Sequence, residues 1–228
     1  MHQASHGVEG REWIGFVVFG ALALLSFIKI GQDVWVHESN AFDSAIRSWV
    51  AAHQTSSVFA VFLWVTRIGS TRTMYALSIV ASVFLWYRDD WRIAASLLIA
   101  PALAIAVYET VKRLYGRARP PGFPPMSDGS FSFPSAHATA AAAVCCSLSY
   151  VLWREGLLGR ASAISIAAIV PLLVGVSRVY LEAHWATDVL GGWSAGLFIA
   201  TLSGGLYHRA RLRVDDRVGV VTRGPRAT

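Results

Sequence analysis

Apolar runs at about 13–30, 74–87, 93–111, 135–153, 161–176 and 187–207 recur along this 228-residue chain, separated by polar or charged turns. In hydrocarbon the backbone finds no water to hydrogen-bond, and a helix satisfies its own polar groups within one segment. These runs predict an all-α fold: a polytopic membrane helix bundle with about six transmembrane helices, built as one domain over 1–228. Composition agrees, with 15% charged and 54% hydrophobic residues, where soluble domains carry about 25% charged. No small-residue cleavage pattern follows the first run, so it is expected to be a span and not a signal peptide.

Two shorter segments behave differently. Phe42, Ala45, Ile46, Trp49 and Val50 recur at helical spacing, so 41–53 is expected to lie as an amphipathic helix on the membrane surface. Val58 to Val65 is too short to cross and is followed by Arg67, so 56–68 is expected to be interfacial or re-entrant. Pro101 is expected to kink the third span.

The net charge of +6 comes from 18 arginines and two lysines. Most arginines flank spans, so the excess points to membrane surfaces and no nucleic-acid partner is expected. Six spans place both termini on one side, together with the turns at Arg88/Arg92 and Arg154/Arg160 and a basic tail at 208–228. The tail carries Arg209, Arg211, Arg213, Arg217, Arg223 and Arg226, and the positive-inside bias makes that side the cytoplasm. The loops at 112–134 and 177–186 then face outward together, and they would still share a face if 56–68 were a seventh span. Cys145 and Cys146 are adjacent within an apolar run and point apart on a helix, so no disulfide is expected.

The outward loops break the charge pattern. Lys112, Arg113, Arg117 and Arg119 cluster after the third span, and Arg178 ends the fifth. An anionic ligand is the simplest reason for cations there; for Arg113 and Arg117, snorkelling to lipid headgroups is the alternative. Lys112 and Arg119 are two helical turns apart and would share a face on a continuing helix. In Phe133-Pro134-Ser135-Ala136-His137, Ser135 sits where a helix N-cap would be, so free N–H groups and the His137 imidazole meet at a helix mouth suited to phosphate. His184 and Asp188 are four apart at the start of the last span, where the carboxylate can fix the imidazole tautomer, besides suiting the helix dipole. Glu182 is expected at the rim, and His6, His53 and His208 on the surface.

Lys112-x6-Arg119-Pro120, Pro134-Ser135-Ala136-His137 and Ser177-Arg178-x5-His184-x3-Asp188 together resemble the three signatures of the type 2 phosphatidic acid phosphatase superfamily. That group includes bacterial lipid phosphate phosphatases and vanadium-dependent haloperoxidases. The resemblance implies that His184 is the nucleophile and takes the phosphoryl group as phosphohistidine. It implies that Asp188 orients His184, and that His137 protonates the leaving oxygen and then deprotonates water. Lys112, Arg119, Arg178, Ser135 and the backbone at Ala136 would hold the phosphoryl oxygens. Ala136 stands where the family usually has glycine; it keeps the N–H but disfavours a left-handed backbone, which bears on substrate fit or rate.

A metal site built from His137, His184 and Asp188 is opposed by the surrounding cations, so no metal and no cofactor are expected. The other alternative is a non-enzymatic carrier or sensor of phospholipid headgroups, which would need the cations without the aligned His184/Asp188 pair. Haloperoxidase chemistry is expected in soluble relatives, unlike this chain. The expected partners are the lipid bilayer and a membrane lipid phosphate entering sideways, with oligomeric state left open. Undecaprenyl diphosphate is favoured, and phosphatidylglycerol phosphate and phosphatidic acid also fit. The expected location is a bacterial cytoplasmic (inner) membrane, with the site on its outer face.

Overall fold

The computed structural model describes residues 2–88, 91–121 and 131–222, with side chains placed over 13–88, 91–121 and 131–214. Asp89, Asp90, Arg223 and Arg226, and the side chains of His6 and Arg217, lie outside the described residues. Among those described there are eight α-helices and no strand: α1 His2–Trp35, α2 Asn40–His53, α3 Ser56–Ile68, α4 Thr71–Arg88, α5 Trp91–Tyr115, α6 Ala136–Arg154, α7 Arg160–Tyr180 and α8 Ala186–Thr222.

Five stretches are long and apolar enough to cross a membrane: Trp13–Trp35, Trp91–Tyr115, Ala136–Arg154, Arg160–Tyr180 and Ala186–Val214. A sixth arises if α3 and α4 act as one broken span, since together they qualify despite a bend of 40° between them. The expected second span is therefore the C-terminal limb of that bent pair, whose break falls at Gly69 and Ser70. The fold is a multi-pass membrane bundle. The lipid-facing helix sides stay apolar, as at Val17, Leu22 and Leu25 on α1 and Ile164 and Leu172 on α7, all exposed.

α6 forms the axis. Its Ala138–Val144 run is buried throughout, because small side chains let neighbouring backbones approach. α8 uses that space: a Cβ placed on Gly196 would lie 2.6 Å from both the Ala142 Cβ and the Thr139 carbonyl oxygen. One turn away, a Cβ on Gly192 would lie 2.9 Å from the Ser135 carbonyl oxygen. At the end away from Ser135, larger side chains fill the core, with Leu85, Ile93, Leu97, Leu148, Val151 and Tyr207 packed together.

One sequence expectation changes here. His208 is buried, not on the surface, with its ring edge-on to Trp13 at a centroid distance of 5.7 Å. The helix at 41–53 is amphipathic but turns Asp43 and Val50 inward and leaves Phe42 and Trp49 exposed. Of its apolar repeat, Phe42, Ala45 and Trp49 are exposed and Val50 is buried. The inward face is chosen by a buried carboxylate.

Candidate active site

The ends of α5 and α7 and the starts of α6 and α8 meet at one end of the bundle. Their connections are tied by backbone bonds: Ser135 N–H donates to the Asp188 carbonyl at 3.0 Å, and Ser132 N–H donates to that of Arg117 at 2.8 Å. α5 stops at Tyr115 because Gly116 turns left-handed at φ 58°. Lys112 and Arg119 therefore do not share a helical face, contrary to the spacing. Lys112 remains on the last turn of α5, while Arg119 reaches inward from the extended segment after Gly116. Lys112 Nζ donates to the Phe131 carbonyl at 2.8 Å.

Arg119 Nη1 donates to the Ala183 carbonyl at 2.8 Å and lies 3.2 Å from His184 Nε2. An arginine only donates, so this contact places the imidazole lone pair on Nε2 and the proton on Nδ1. Nδ1 faces Asp188 Oδ2 at 3.4 Å. The same Oδ2 accepts the Trp185 N–H at 2.9 Å and the Ser132 hydroxyl. His184 and Asp188 are both buried, and the helical spacing that joined them in the sequence holds in space.

Burial pushes His184 down from 6.5 to about 3, the Asp188 carboxylate pulls the other way, and the guanidiniums of Arg178 and Arg119 add to the fall. The imidazole is thus neutral at neutral pH, which leaves Nε2 able to attack an electrophile. Arg178 is buried, and its Nη1 donates to Thr66 Oγ1 on α3 at 2.8 Å. Half-buried His137, on the first turn of α6, sits within interaction range of Arg178, His184, Lys112 and Arg119.

Ser135 is the N-cap of α6, as expected, at φ −68° and ψ 114°, but its side chain caps no N–H. Its Oγ is fully buried and finds no hydrogen-bond partner among the described residues, an arrangement that carries a desolvation cost unless something else completes it. Ala136 begins α6 in an ordinary right-handed conformation, so alanine in place of glycine introduces no backbone strain. Glu182 is at the rim, paired with Arg47 of α2 at 2.8 Å. Among the described residues no three His, Cys, Asp or Glu side chains converge as metal ligands.

Sequence reading missed one part of the site. Arg117 does not reach lipid headgroups: it forms ion pairs of 2.6 Å with both Asp188 and Asp43. Thr187 joins them, donating its N–H to Asp43 Oδ1 at 2.9 Å and accepting from Arg117 at 2.8 Å. Asp43 lies far from the motifs in sequence, and the only local signal was a carboxylate in an otherwise apolar helical repeat. Arg113 is exposed and pairs only weakly with Glu109, at 3.4 Å.

Bundle and site together define an integral-membrane protein that gathers two histidines, four cations (Lys112, Arg117, Arg119 and Arg178) and an uncapped helix mouth at one end. The chain belongs to the PAP2 superfamily, whose family model matches residues 93–211, just over half of its length. It is 30% identical over 77% of its length to phosphatidylglycerophosphatase B of Bacillus subtilis, covering 88% of that protein. It is 26% identical over 84% of its length to an undecaprenyl-diphosphatase of Sulfolobus acidocaldarius, covering 88% of that one. Among solved structures it resembles the transmembrane PAP2-type phosphatidylglycerolphosphate phosphatase of Bacillus subtilis. That likeness has a TM-score of 0.74 at 28% identity, over 82% of this chain and 94% of the other.

Proposed function

We propose that the protein is a metal-independent lipid phosphate phosphatase that releases a terminal phosphate through a phosphohistidine at His184. The observation that carries the reading is the placement of the buried His184 imidazole, with Nε2 3.2 Å from Arg119 and Nδ1 3.4 Å from Asp188. In the first step Nε2 attacks phosphorus, the bond from phosphorus to the leaving oxygen breaks, and His137 gives that oxygen a proton. Asp188 stabilises the imidazolium character of the phosphorylated ring. In the second step water attacks phosphorus and gives its proton to His137, the P–N bond breaks, and its electrons return to His184 as phosphate departs.

Lys112, Arg119 and Arg178 would hold the equatorial oxygens, with the Ser135 hydroxyl and the N–H groups opening α6. Phosphoryl transfer needs little covalent help beyond positioning and charge neutralisation, and this group of donors supplies both. The carrier or sensor reading accounts for the cations but leaves the paired, neutral His184 without a purpose.

The substrate enters from the bilayer, and the site opens on the outer face of a bacterial inner membrane with both termini in the cytoplasm. Phosphatidylglycerol phosphate ranks first, since a relative and a structural neighbour are named for it. Undecaprenyl diphosphate, favoured from the sequence, ranks second. Detergent-purified protein is expected to release phosphate from at least one of these lipids or phosphatidic acid, undiminished by EDTA. Loss of release with EDTA, restored by a divalent cation, would overturn metal independence; release from none of the three would move the protein to the carrier reading.

The buried histidine also sets a pH dependence of stability. His184 has a lowered pKa when folded and an ordinary one when unfolded, so between about 6.5 and about 3 the unfolded chain binds more protons. Its contribution is fully present above pH 6.5 and is lost as pH falls through that window. Thermal unfolding in detergent should show the midpoint of the wild type dropping more steeply from about pH 6.5 to about 5, the upper part of that window, than that of His184→Gln. Parallel curves for the two proteins would show that His184 is not buried in neutral form.

A further inference from the structure

Asp188 has two oxygens with different surroundings. Oδ2 takes Ser132, the Trp185 N–H and His184 Nδ1, while Oδ1 takes Arg117 at 2.6 Å. An arginine fully paired with Asp188 would cancel the negative charge that a phosphorylated imidazole needs nearby. That cancellation is prevented by the second carboxylate on Arg117, that of Asp43, at 2.6 Å. Asp43, Arg117 and Asp188 together carry one net negative charge, in a site where the carboxylates are almost wholly enclosed and Arg117 is 13% exposed. At such burial the interactions are only weakly screened by solvent.

Asp43 is also fully committed. Its Oδ1 accepts the Thr187 N–H at 2.9 Å, and its Oδ2 accepts the Thr187 hydroxyl and Arg117 Nη2, each at 2.6 Å. It stands on α2, outside the stretch of chain matched by the family model. Its outward neighbours Phe42 and Trp49 are exposed apolar residues on the same helix.

We propose that Asp43 and Arg117 are positioning residues for the reaction: Arg117 fixes the Asp188 carboxylate, and Asp43 offsets the arginine's charge so that Asp188 can still stabilise His184 as it becomes charged. Neither touches the substrate. The inference rests on the phosphohistidine reading above, and it assigns a catalytic consequence to a helix that otherwise looks like a membrane-surface brace.

The test compares wild type, Asp43→Asn, the double variant Asp43→Asn/Arg117→Gln, and His184→Ala. The assay lipid is whichever of phosphatidylglycerol phosphate, undecaprenyl diphosphate and phosphatidic acid the wild type turns over fastest. Asp43→Asn keeps the shape but leaves Arg117 to neutralise Asp188. Its kcat should fall by about tenfold, by analogy with the lower end of the cost of altering the hydrogen-bonded partners of metal ligands, with KM changed by no more than about twofold because the phosphate-holding cations are untouched. The double variant removes both charges and restores the net negative charge at Asp188, so it should regain about fivefold in kcat over the single variant.

A merely structural role would make the double variant the worse of the two. An unchanged kcat in Asp43→Asn, or a double variant no faster than the single one, would overturn the proposal. If the single variant yields no folded protein, the double decides alone: a kcat within about fivefold of wild type sustains it, and a deeper loss overturns it. His184→Ala separates the two levels of argument. Release that survives in that variant sinks the phosphohistidine reading itself, whereas an inactive His184→Ala beside a fully active Asp43→Asn sinks only this inference.

Discussion

His184→Ala is expected to lower phosphate release by on the order of a thousandfold or more, with the protein still folded in detergent, since removing the proposed nucleophile removes the covalent route itself. The expectation follows from how His184 is held. Its ring is buried, its Nδ1 side faces Asp188 and Ser132, and its Nε2 side faces Arg119. His137, the other imidazole of the site, is acted on by the cations Arg178, Lys112 and Arg119 and by His184, and among the described residues no carboxylate acts on it. In the proposed mechanism His137 holds its proton only while the anionic phosphate lies beside it, and no carboxylate stands behind it to offset a phosphorylated ring. The check is single-turnover release with acid-stable and acid-labile phosphoprotein measured side by side. Wild type should show an acid-labile phosphoenzyme, and the variant none. A variant that keeps both turnover and labile phosphate would shift the nucleophile to His137.

Gly196→Val is expected to be the most damaging change to the bundle itself. A Cβ at this position meets the Thr139 carbonyl oxygen and the Ala142 Cβ at 2.6 Å, and the Ala143 nitrogen at 2.9 Å. Two of those three atoms are backbone, so no rotamer change on α6 relieves the clash and the helices must separate. Forcing extra volume into a packed interior costs about 1–3 kcal/mol and sometimes more, and here the contact is the close approach of α8 to α6 that holds the site together. Ser135 donates to the Asp188 carbonyl across the same pair of helices at 3.0 Å, so separation there also parts the histidines. Gly15→Val is the matched control, since a Cβ at Gly15 meets nothing within 4 Å. Thermal unfolding in detergent should show a midpoint lowered by several degrees or lost in Gly196→Val, with little change in Gly15→Val. Equal midpoints in the two variants would mean that α6 and α8 do not pack this tightly.

Much of this was legible before any coordinates. A chain with so few charges and such long apolar runs has few ways to satisfy its backbone, so the all-helical membrane bundle followed from residue types alone. His184 and Asp188 were also legible, because four-residue spacing on a helix is a local geometric fact. The bend at Gly69 and Ser70 was only half visible: neither α3 nor α4 qualifies alone, and together they are long and apolar enough to make one broken span or a re-entrant loop.

Spacing misled where it assumed that a helix continues. Lys112 and Arg119 share a helical face only if the helix continues, and the left-handed turn at Gly116 ends that helix before Arg119. His208 was read as a surface residue because it has no partner nearby in sequence. It is buried because α1 brings Trp13 and Phe16 against it, at ring-centroid distances of 5.7 and 6.4 Å. Alanine at position 136 looked like a departure, yet the backbone there is helical and accommodates it.

The sequence by itself determined the membrane bundle, the three motifs and the pairing of His184 with Asp188, because each rests on composition or on spacing within one helix. The tertiary structure alone decided how the charges are shared. Whether Arg117 faces lipid or a carboxylate depends on α2 folding back to place Asp43 beside it, 74 residues away along the chain. Separation along a chain carries no distance information, and a buried ion pair exists only where packing excludes water and brings both partners into contact.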